Sequence, residues 1–270
     1  MPDHLRNCVV CGADAGYPNV RMAENRDEVR ALEQRFQDAL QQARIRCAEQ
    51  VTEQFRIAVS SSDAVISRPL TKLLELISSD NELYTTYYHQ VESQARLPQM
   101  NEYDQGRSAI DSVLFPNYHA EIRFAMLSLD GRGLDYYGEC AIALKEVSIQ
   151  DRATVFERNS FDFFQENKII AGRPPPLGYR ATWKTRDRLA VSKLGARIDK
   201  STAPSVFPAM LISDAIGKSD FIEVHIYGPI HRRAIKSVVV KQPNKKADKT
   251  LLKSMRKKLA QIGASLTVEP

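Results

Sequence analysis

The sequence Ser219-Asp-Phe-Ile-Glu-Val-His-Ile-Tyr-Gly-Pro229 is a short apolar run with a single glutamate set into it. Its β-branched and aromatic residues favour an extended strand, which Gly228-Pro229 ends. Alternate side chains of a strand share a face, so Glu223 and His225 point to the same side. Burying an unpaired carboxylate costs several kcal/mol, so Glu223 is either paired or meets a ligand. The alternative is an edge strand whose Glu and His face water.

The chain around this strand has the pattern of a strand-rich domain. At Pro116 the apolar period changes from helical to alternating, and His119, Glu121 and Arg123 fall on one face of a predicted strand. Asn159-Ser160 is a predicted cap for the aromatic segment that follows. Further strands are predicted at residues 140–144, 151–156, 237–241 and 264–268, and helices at 185–195 and 249–262, with an extended proline-rich stretch at 172–178.

The region before Pro116 has helical periodicity. Asn25 is a predicted cap for one long amphipathic helix that runs to about Ala58. Cys47 falls on the apolar face of that helix, where a buried free thiol is expected.

Other helices are predicted in the same region. Pro69 suits the first turn of one of them, Ser79 with Glu82 forms a capping box for the next, and a short helix precedes Pro116. The predicted fold class is therefore α+β, with a helical N-terminal region at residues 1–115 and an antiparallel sheet domain at residues 116–270.

Composition narrows the class of protein. The chain has 270 residues, 43% of them apolar, and a net charge of +5. It contains no apolar run of membrane-spanning length and no secretory signal pattern, which predicts a cytoplasmic protein without a membrane partner.

The charge is unevenly distributed along the chain. Residues 231–270 carry a net +9 and residues 173–200 a net +6, whereas residues 1–172 carry −8. Basic surfaces attract polyanions, so nucleic acid is an expected partner. A solvated basic face, or a dock for an acidic protein, is the alternative.

Two cysteines near the N-terminus have the spacing of half a zinc site. The motif is Cys8-Val-Val-Cys11-Gly12, and no second CxxC or CxxH follows it. The candidates for the two missing ligands are His4, Cys47 and His89. A structural zinc is one hypothesis, and an empty or rearranged knuckle is the other.

The second half of the chain lacks the common phosphate-binding loop GxxxxGK[ST] and any recognisable Ser/His/Asp arrangement. The order of four segments within residues 117–241 instead resembles mono-ADP-ribosyltransferases, in particular their bacterial toxin-like branch. These segments are Glu121–Leu127, Gly131–Gly138, Arg152–Ser160 and Phe221–Pro229.

The resemblance implies a split antiparallel sheet that clamps NAD, with Glu223 as the catalytic residue. Cleavage of the nicotinamide–ribose bond develops positive charge on the ribose, which a fixed carboxylate stabilises as the transition state forms. The residues that the resemblance assigns to NAD are Arg123 or His119 for phosphate or ribose, Tyr136 and Tyr137 for the nicotinamide ring, and Ser160 for the ribose or as a brace for Glu223.

One departure from the family bears on the acceptor. Arginine-modifying members carry a Glu two residues before the catalytic one, and this chain has Phe221 there. With the basic segments, this favours a nucleic acid (RNA or DNA) over a protein as acceptor. A toxin-like enzyme in a toxin–antitoxin or anti-phage defence setting also implies an antitoxin or chaperone partner. The competing hypotheses are a non-catalytic nucleic-acid-binding protein with a zinc knuckle and, less favoured, a dimerising structural protein.

Overall fold

The computed structural model describes residues 5–84, 86, 88, 102–169, 175–215, 218–242 and 246–269. Its helices are α1 (Pro18–Ala23), α2 (Arg26–Ile45), α3 (Glu49–Ser60), α4 (Leu70–Ser78), α5 (Glu102–Leu114), α6 (Ser160–Glu166), α7 (Arg186–Leu194), α8 (Phe207–Leu211) and α9 (Lys246–Gln261). Its strands are β1 (Asp63–Arg68), β2 (Leu83–Tyr84), β3 (Ile122–Ser128), β4 (Cys140–Leu144), β5 (Ala153–Phe156), β6 (Arg180–Thr182), β7 (Ile212–Ala215), β8 (Lys218–Phe221), β9 (Glu223–Tyr227), β10 (Ile230–His231), β11 (Ile235–Lys241) and β12 (Ser265–Glu269).

Eight strands form one mixed sheet in the order β12-β11-β4-β1-β3-β9-β5-β6. Every neighbouring pair is antiparallel except β11 and β12, which are parallel and joined through α9. A parallel pair needs such a crossover, whereas antiparallel neighbours do not. The predicted α+β class is therefore confirmed.

The sheet opens between β1 and β3. These two strands pair only from Asp63 to Val65, opposite Met126 to Ser128. Beyond that point β1 continues to pair with β4 as far as Arg68, and β3 continues to pair with β9 back to Ile122. The two strands therefore diverge, and a fork opens at the middle of the sheet.

The main core lies between one face of the sheet and the helices α2, α3, α4, α7, α8 and α9. Phe55 and Leu73 from the first 115 residues share this cluster with Val224 and Leu259 from the rest of the chain. Residues on both sides of position 115 therefore contribute to one core.

The prediction of a purely helical N-terminal region is wrong at β1. Residues 63–68 are a strand at the centre of the sheet, between β4 and β3. The run Ala64-Val-Ile66 carries the β-branched signal, but it is short and directly follows three serines.

The long predicted helix is two helices. Asn25 caps the first as predicted, because its side chain accepts a hydrogen bond of 3.0 Å from the Asp27 amide. The chain then breaks at Cys47, whose φ is +54°. The thiol of Cys47 is exposed, not buried on an apolar face. The apolar periodicity of the sequence continues across the break because α2 and α3 both bury an apolar face.

Other predicted elements have mixed outcomes. The strands at β4, β5, β11 and β12 and the helices α4, α5, α7 and α9 are confirmed. The capping box of Ser79 precedes the short strand β2 instead of a helix. Most of the rest of that predicted helix, and residues 172–174 of the proline-rich stretch, lie outside the described residues. No helix in the described ranges has both the length and the apolar character needed to cross a membrane.

Candidate active site

Glu223 and His225 lie on a central strand of the sheet. β9 runs between β3 and β5, and the two residues are 3% and 2% exposed. The alternative of a water-facing edge strand is therefore wrong. The register places Glu223 opposite Met126 on one side and Phe156 on the other.

Both carboxylate oxygens of Glu223 are engaged. Oε1 lies 3.2 Å from Nη2 of Arg107. Oε2 accepts the backbone N–H of Ser160 at 3.0 Å and lies 2.9 Å from Nε2 of His225. Burial by itself would raise the pKa of Glu223, but the charge of Arg107 and the hydrogen bonds from His225 and Ser160 lower it to about 2. The carboxylate is therefore ionised at neutral pH.

The start of α6 supplies the backbone donor. Asn159 caps this helix by accepting the Phe161 amide at 2.9 Å, as predicted from the Asn159-Ser160 motif. The cap leaves the first-turn amide of Ser160 without a partner inside the helix, and that amide bonds Glu223 instead. The hydroxyl of Ser160 is buried and has no hydrogen-bond partner in the described part of the chain.

Arg107 on α5 links two carboxylates. Its Nε lies 3.1 Å from Oδ1 of Asp111, one helical turn later, and its guanidinium stacks over Phe124 at 4.2 Å. Asp111 also accepts the hydroxyl of Tyr88 at 2.9 Å. Burial raises the pKa of Asp111 even though Arg107 and Tyr88 oppose it. The cluster thus holds one strongly acidic and one weakly acidic carboxyl around a single guanidinium.

A cavity of about 270 Å³ lies in the fork of the sheet. Residues of the diverging strands β1 and β3 form its opposite walls, and Glu223 lies at its edge. Its lining contains both aromatic rings and cations. The aromatic residues are Tyr84, Tyr88, Phe124, Tyr137 and Phe221, and the arginines are Arg68, Arg107 and Arg123.

A glycine-rich loop holds the end of β1 in place. Gly138 lies so close to β1 that an added Cβ would be 2.1 Å from the backbone carbon of Arg68. The next residue, Glu139, accepts the Leu70 amide at 3.0 Å and so caps α4. These contacts fix Arg68 at the mouth of the fork, with its guanidinium 4.7 Å from the centre of the Tyr84 ring.

The structure places the two predicted first-strand residues away from Glu223. Arg123 pairs opposite Ile226, so the pleat turns its side chain to the other face of the sheet from Glu223. Its guanidinium bonds the carbonyl and the carboxylate of Glu121. His119 belongs to a short 3₁₀ helix before β3, not to the strand, and packs edge-on against Tyr88 at 5.0 Å.

The two predicted tyrosines differ in position. Tyr137 lines the cavity, whereas the side chain of Tyr136 is 85% exposed and is not part of the lining. The two rings contact each other edge to face, 5.3 Å apart.

Two arginines of the cavity lining, Arg68 and Arg107, were not predicted as site residues from the sequence. Arg68 ends the unrecognised strand β1, and the β-branched run before Pro69 was the available signal for it. Arg107 gave no such signal, because its spacing from Asp111 is that of an ordinary i,i+4 helix pair. Only the folded chain brings Arg107 to Glu223.

The cysteine motif forms a small exposed hairpin. The Gly12 amide donates to the Cys8 carbonyl at 2.8 Å, and Gly12 has φ +72°. Hydrogen bonds from the backbone amides of Cys11 and Val10 lower the pKa of the Cys8 thiol. The described residues contain no group of three metal-ligating side chains, so Cys47 does not join this pair. The other two candidate ligands, His4 and His89, lie outside the described residues.

Comparison of the sequence with protein-family models and with curated proteins gives no match.

Proposed function

We propose that the protein is a toxin-like mono-ADP-ribosyltransferase that consumes NAD. The observation that carries the proposal is the buried, ionised Glu223 at the edge of a cavity that lies in a fork of the sheet. A split sheet with a late catalytic glutamate is what the resemblance implies, and the fork between β1 and β3 supports that comparison.

The chemistry follows from the position of the carboxylate. The bond between C1′ of the ribose and the nicotinamide nitrogen breaks, and nicotinamide leaves with the bonding electrons. The positive charge that develops on the ribose is stabilised by Glu223, which is held in place before the reaction begins. A nucleophile of the acceptor then forms the new bond to C1′ and loses its proton.

The cavity fits one end of NAD. Its volume of about 270 Å³ is slightly below that of most small-molecule sites, which span roughly 300–1,000 Å³. We assign the nicotinamide ring to the aromatic walls, with Tyr137 as one stacking face. The diphosphate is assigned to Arg68 and Arg107, since a guanidinium binds phosphate oxygens in pairs.

Arg107 has two roles in this scheme. While it is paired with Glu223, the carboxylate is neutralised and gives little stabilisation to a developing cation. A bound diphosphate competes for the same guanidinium. Substrate binding would therefore uncover the negative charge at the position where the ribose cation forms.

The acceptor is proposed to be a nucleic acid rather than a protein. Phe221 occupies the position where arginine-modifying members of the family carry a glutamate, and it is buried against Met126 and Leu134. This position thus has no carboxylate to activate an arginine acceptor. A toxin–antitoxin or anti-phage setting, with an antitoxin or chaperone partner, belongs to the same proposal.

The test measures NAD turnover by the purified protein with labelled NAD and mixed RNA, DNA or protein. We expect label transfer, and a loss of at least about 100-fold in Glu223→Gln. Glu28→Gln is the matched control, because Glu28 is also buried, lies 3.0 Å from Nε of Arg180 and accepts a backbone amide, that of Gly178, but lies outside the cavity lining.

The outcome separates catalysis from folding. We expect Glu28→Gln to keep NAD turnover while losing stability. No turnover in the wild-type protein, or equal turnover in Glu223→Gln, would contradict the proposed function.

A further inference from the structure

The two basic segments of the chain differ in how their charges are used. In the first, residues 175–200, most cations are paired within the molecule. Arg180 lies 3.0 Å from Glu28, Arg186 3.2 Å from Glu146, and Lys193 2.6 Å from Asp220, and Arg188 pairs with Glu33. Most of the positive charge of this segment is therefore neutralised by acidic side chains from other parts of the fold.

The second basic segment is different. The helix α9 exposes Lys249, Lys253, Arg256 and Lys257, and we call these four side chains the α9 stripe. Positions i, i+4, i+7 and i+8 lie on one side of a helix. None of the four forms an ion pair with a described residue, so their charges are available to a partner.

The opposite side of α9 is used by the core. Leu252, Met255 and Leu259 are buried in the main hydrophobic cluster. A helix that inserts into a membrane surface must leave its apolar side open to lipid, and this one does not. The exposed side offers charge without an apolar surface.

The connection through α9 fixes the end of the sheet at which this helix begins. β11 ends at Lys241. Val240 of β11 pairs opposite Cys140 of β4, and Cys140 in turn pairs opposite Arg68 of β1, at the open end of the fork. The helix begins five residues after Lys241, so its first turns lie at the same end of the sheet as Arg68. From Lys249 to Lys257 the helix rises about 12 Å, the length of roughly three phosphates of one strand.

We propose that the α9 stripe binds the phosphodiester backbone of a nucleic acid. Unpaired cations in a row recognise regularly spaced phosphates and release their counterions. Nucleic-acid binding at this surface does not require catalysis. If the protein consumes NAD as proposed, the bound nucleic acid is the acceptor.

The experiment neutralises the stripe in the full chain. The stripe variant is K249Q/K253Q/R256Q/K257Q, in which glutamine keeps a good helix-forming residue at each position. The control variant is R26Q/K168Q/K184Q/K200Q. It removes the same amount of charge from four exposed cations elsewhere that have no ion pair with a described residue. Binding of labelled single-stranded RNA and DNA is measured by fluorescence anisotropy over a range of salt concentrations.

We expect the stripe variant to lose affinity at least about tenfold, and its log-log salt slope to fall by up to about 3. The control variant should change the slope by less than about 1. Equal effects of the two variants, or binding of poly-glutamate or anionic vesicles as tight as that of the oligonucleotides, would overturn the proposal.

The proposed NAD-consuming function and the proposed nucleic-acid binding by the α9 stripe can be contradicted independently. Hydrolysis of NAD to free ADP-ribose should be the same in the stripe variant and the wild type, because it needs no nucleic acid. If the wild-type protein consumes no NAD but binds oligonucleotides through α9, the proposed function is wrong and this inference stands.

Discussion

Arg107 and Glu223 are separated by 116 residues in the sequence and lie 3.2 Å apart in the fold. The side chain of Arg107 is 17% exposed and that of Glu223 4%. A buried pair of this kind is strongly coupled, because removal of one charge leaves the other without compensation. The stability of the fold around the site should therefore depend on both charges being present.

The coupling can be measured with a double-mutant cycle. Arg107→Met should destabilise the protein by about 3–5 kcal/mol, since Glu223 is left buried beside only His225 and one amide. The double variant R107M/E223M should recover much of that loss. Denaturant unfolding at neutral pH gives the coupling energy.

An exposed ion pair serves as the control for this cycle. Lys72 and Glu75 lie 2.8 Å apart and are each 60% exposed, so their coupling should be below about 1 kcal/mol. A coupling between Arg107 and Glu223 of the same small size would show that the buried pair is not important for the site.

The pKa of Glu223 predicts a pH dependence of stability. The folded-state pKa of about 2 lies below the ordinary value of 4.5, so the ionised carboxylate stabilises the fold above that value and the contribution is lost as the pH falls towards 2. This lowering of the pKa corresponds to a contribution of roughly 3 kcal/mol to the free energy of unfolding. The free energy of unfolding of the wild type minus that of Glu223→Gln should therefore shrink by this amount as the pH falls from about 5 to about 2. A difference that stays constant with pH would rule out the lowered pKa.

The backbone amide of Ser160 can be removed without removing the helix. Ser160 is the first residue of α6, a position that accepts proline, and Asn159 before it has an extended backbone with ψ 118°. Ser160→Pro should raise the pKa of Glu223 and move the acid limb of its stability curve to higher pH. Ser160→Ala keeps the amide and should leave that limb in place. The same shift in both variants would assign the effect to the hydroxyl.

Gly138 is predicted to be essential for the position of Arg68. It has φ +137°, and a Cβ there would overlap the backbone of Arg68 and Pro69. Gly138→Ala should cost about 3 kcal/mol or more and weaken NAD binding, as measured by unfolding and calorimetry. Gly263→Ala is the control, because Gly263 has φ +70° with open space around it and should cost only about 1 kcal/mol. Equal losses would mean that the close approach to Arg68 is unimportant.

The zinc hypothesis predicts metal bound in proportion to protein. The purified chain should retain about one equivalent of zinc, or half if two copies share it, and Cys8→Ser/Cys11→Ser should retain none. Cys47→Ser is the control, since that exposed thiol lies at the break between α2 and α3. A metal-free wild type after equilibration with zinc would contradict the hypothesis.

Local signals predicted the elements around Glu223, but not their partners. Alternation and the Gly228-Pro229 stop located β9, and the Asn159 cap located α6, because these patterns act over a few residues. The long amphipathic helix and the helical first region were wrong because periodicity does not report a single positive φ or a six-residue buried strand. Arg107 could not be predicted as a site residue for another reason. Its pairing with Glu223 depends on a long-range contact, which no local sequence pattern records.

The position of β9 has a consequence for synthesis of the chain. β9 separates β3 and β5, yet the ribosome makes both of those strands before it. Until residue 227 has emerged, the nascent polypeptide carries two bare strand edges and lacks Glu223 of the candidate site, and exposed edges of this kind aggregate. Late insertion of this one strand therefore both covers the two edges and completes the candidate site.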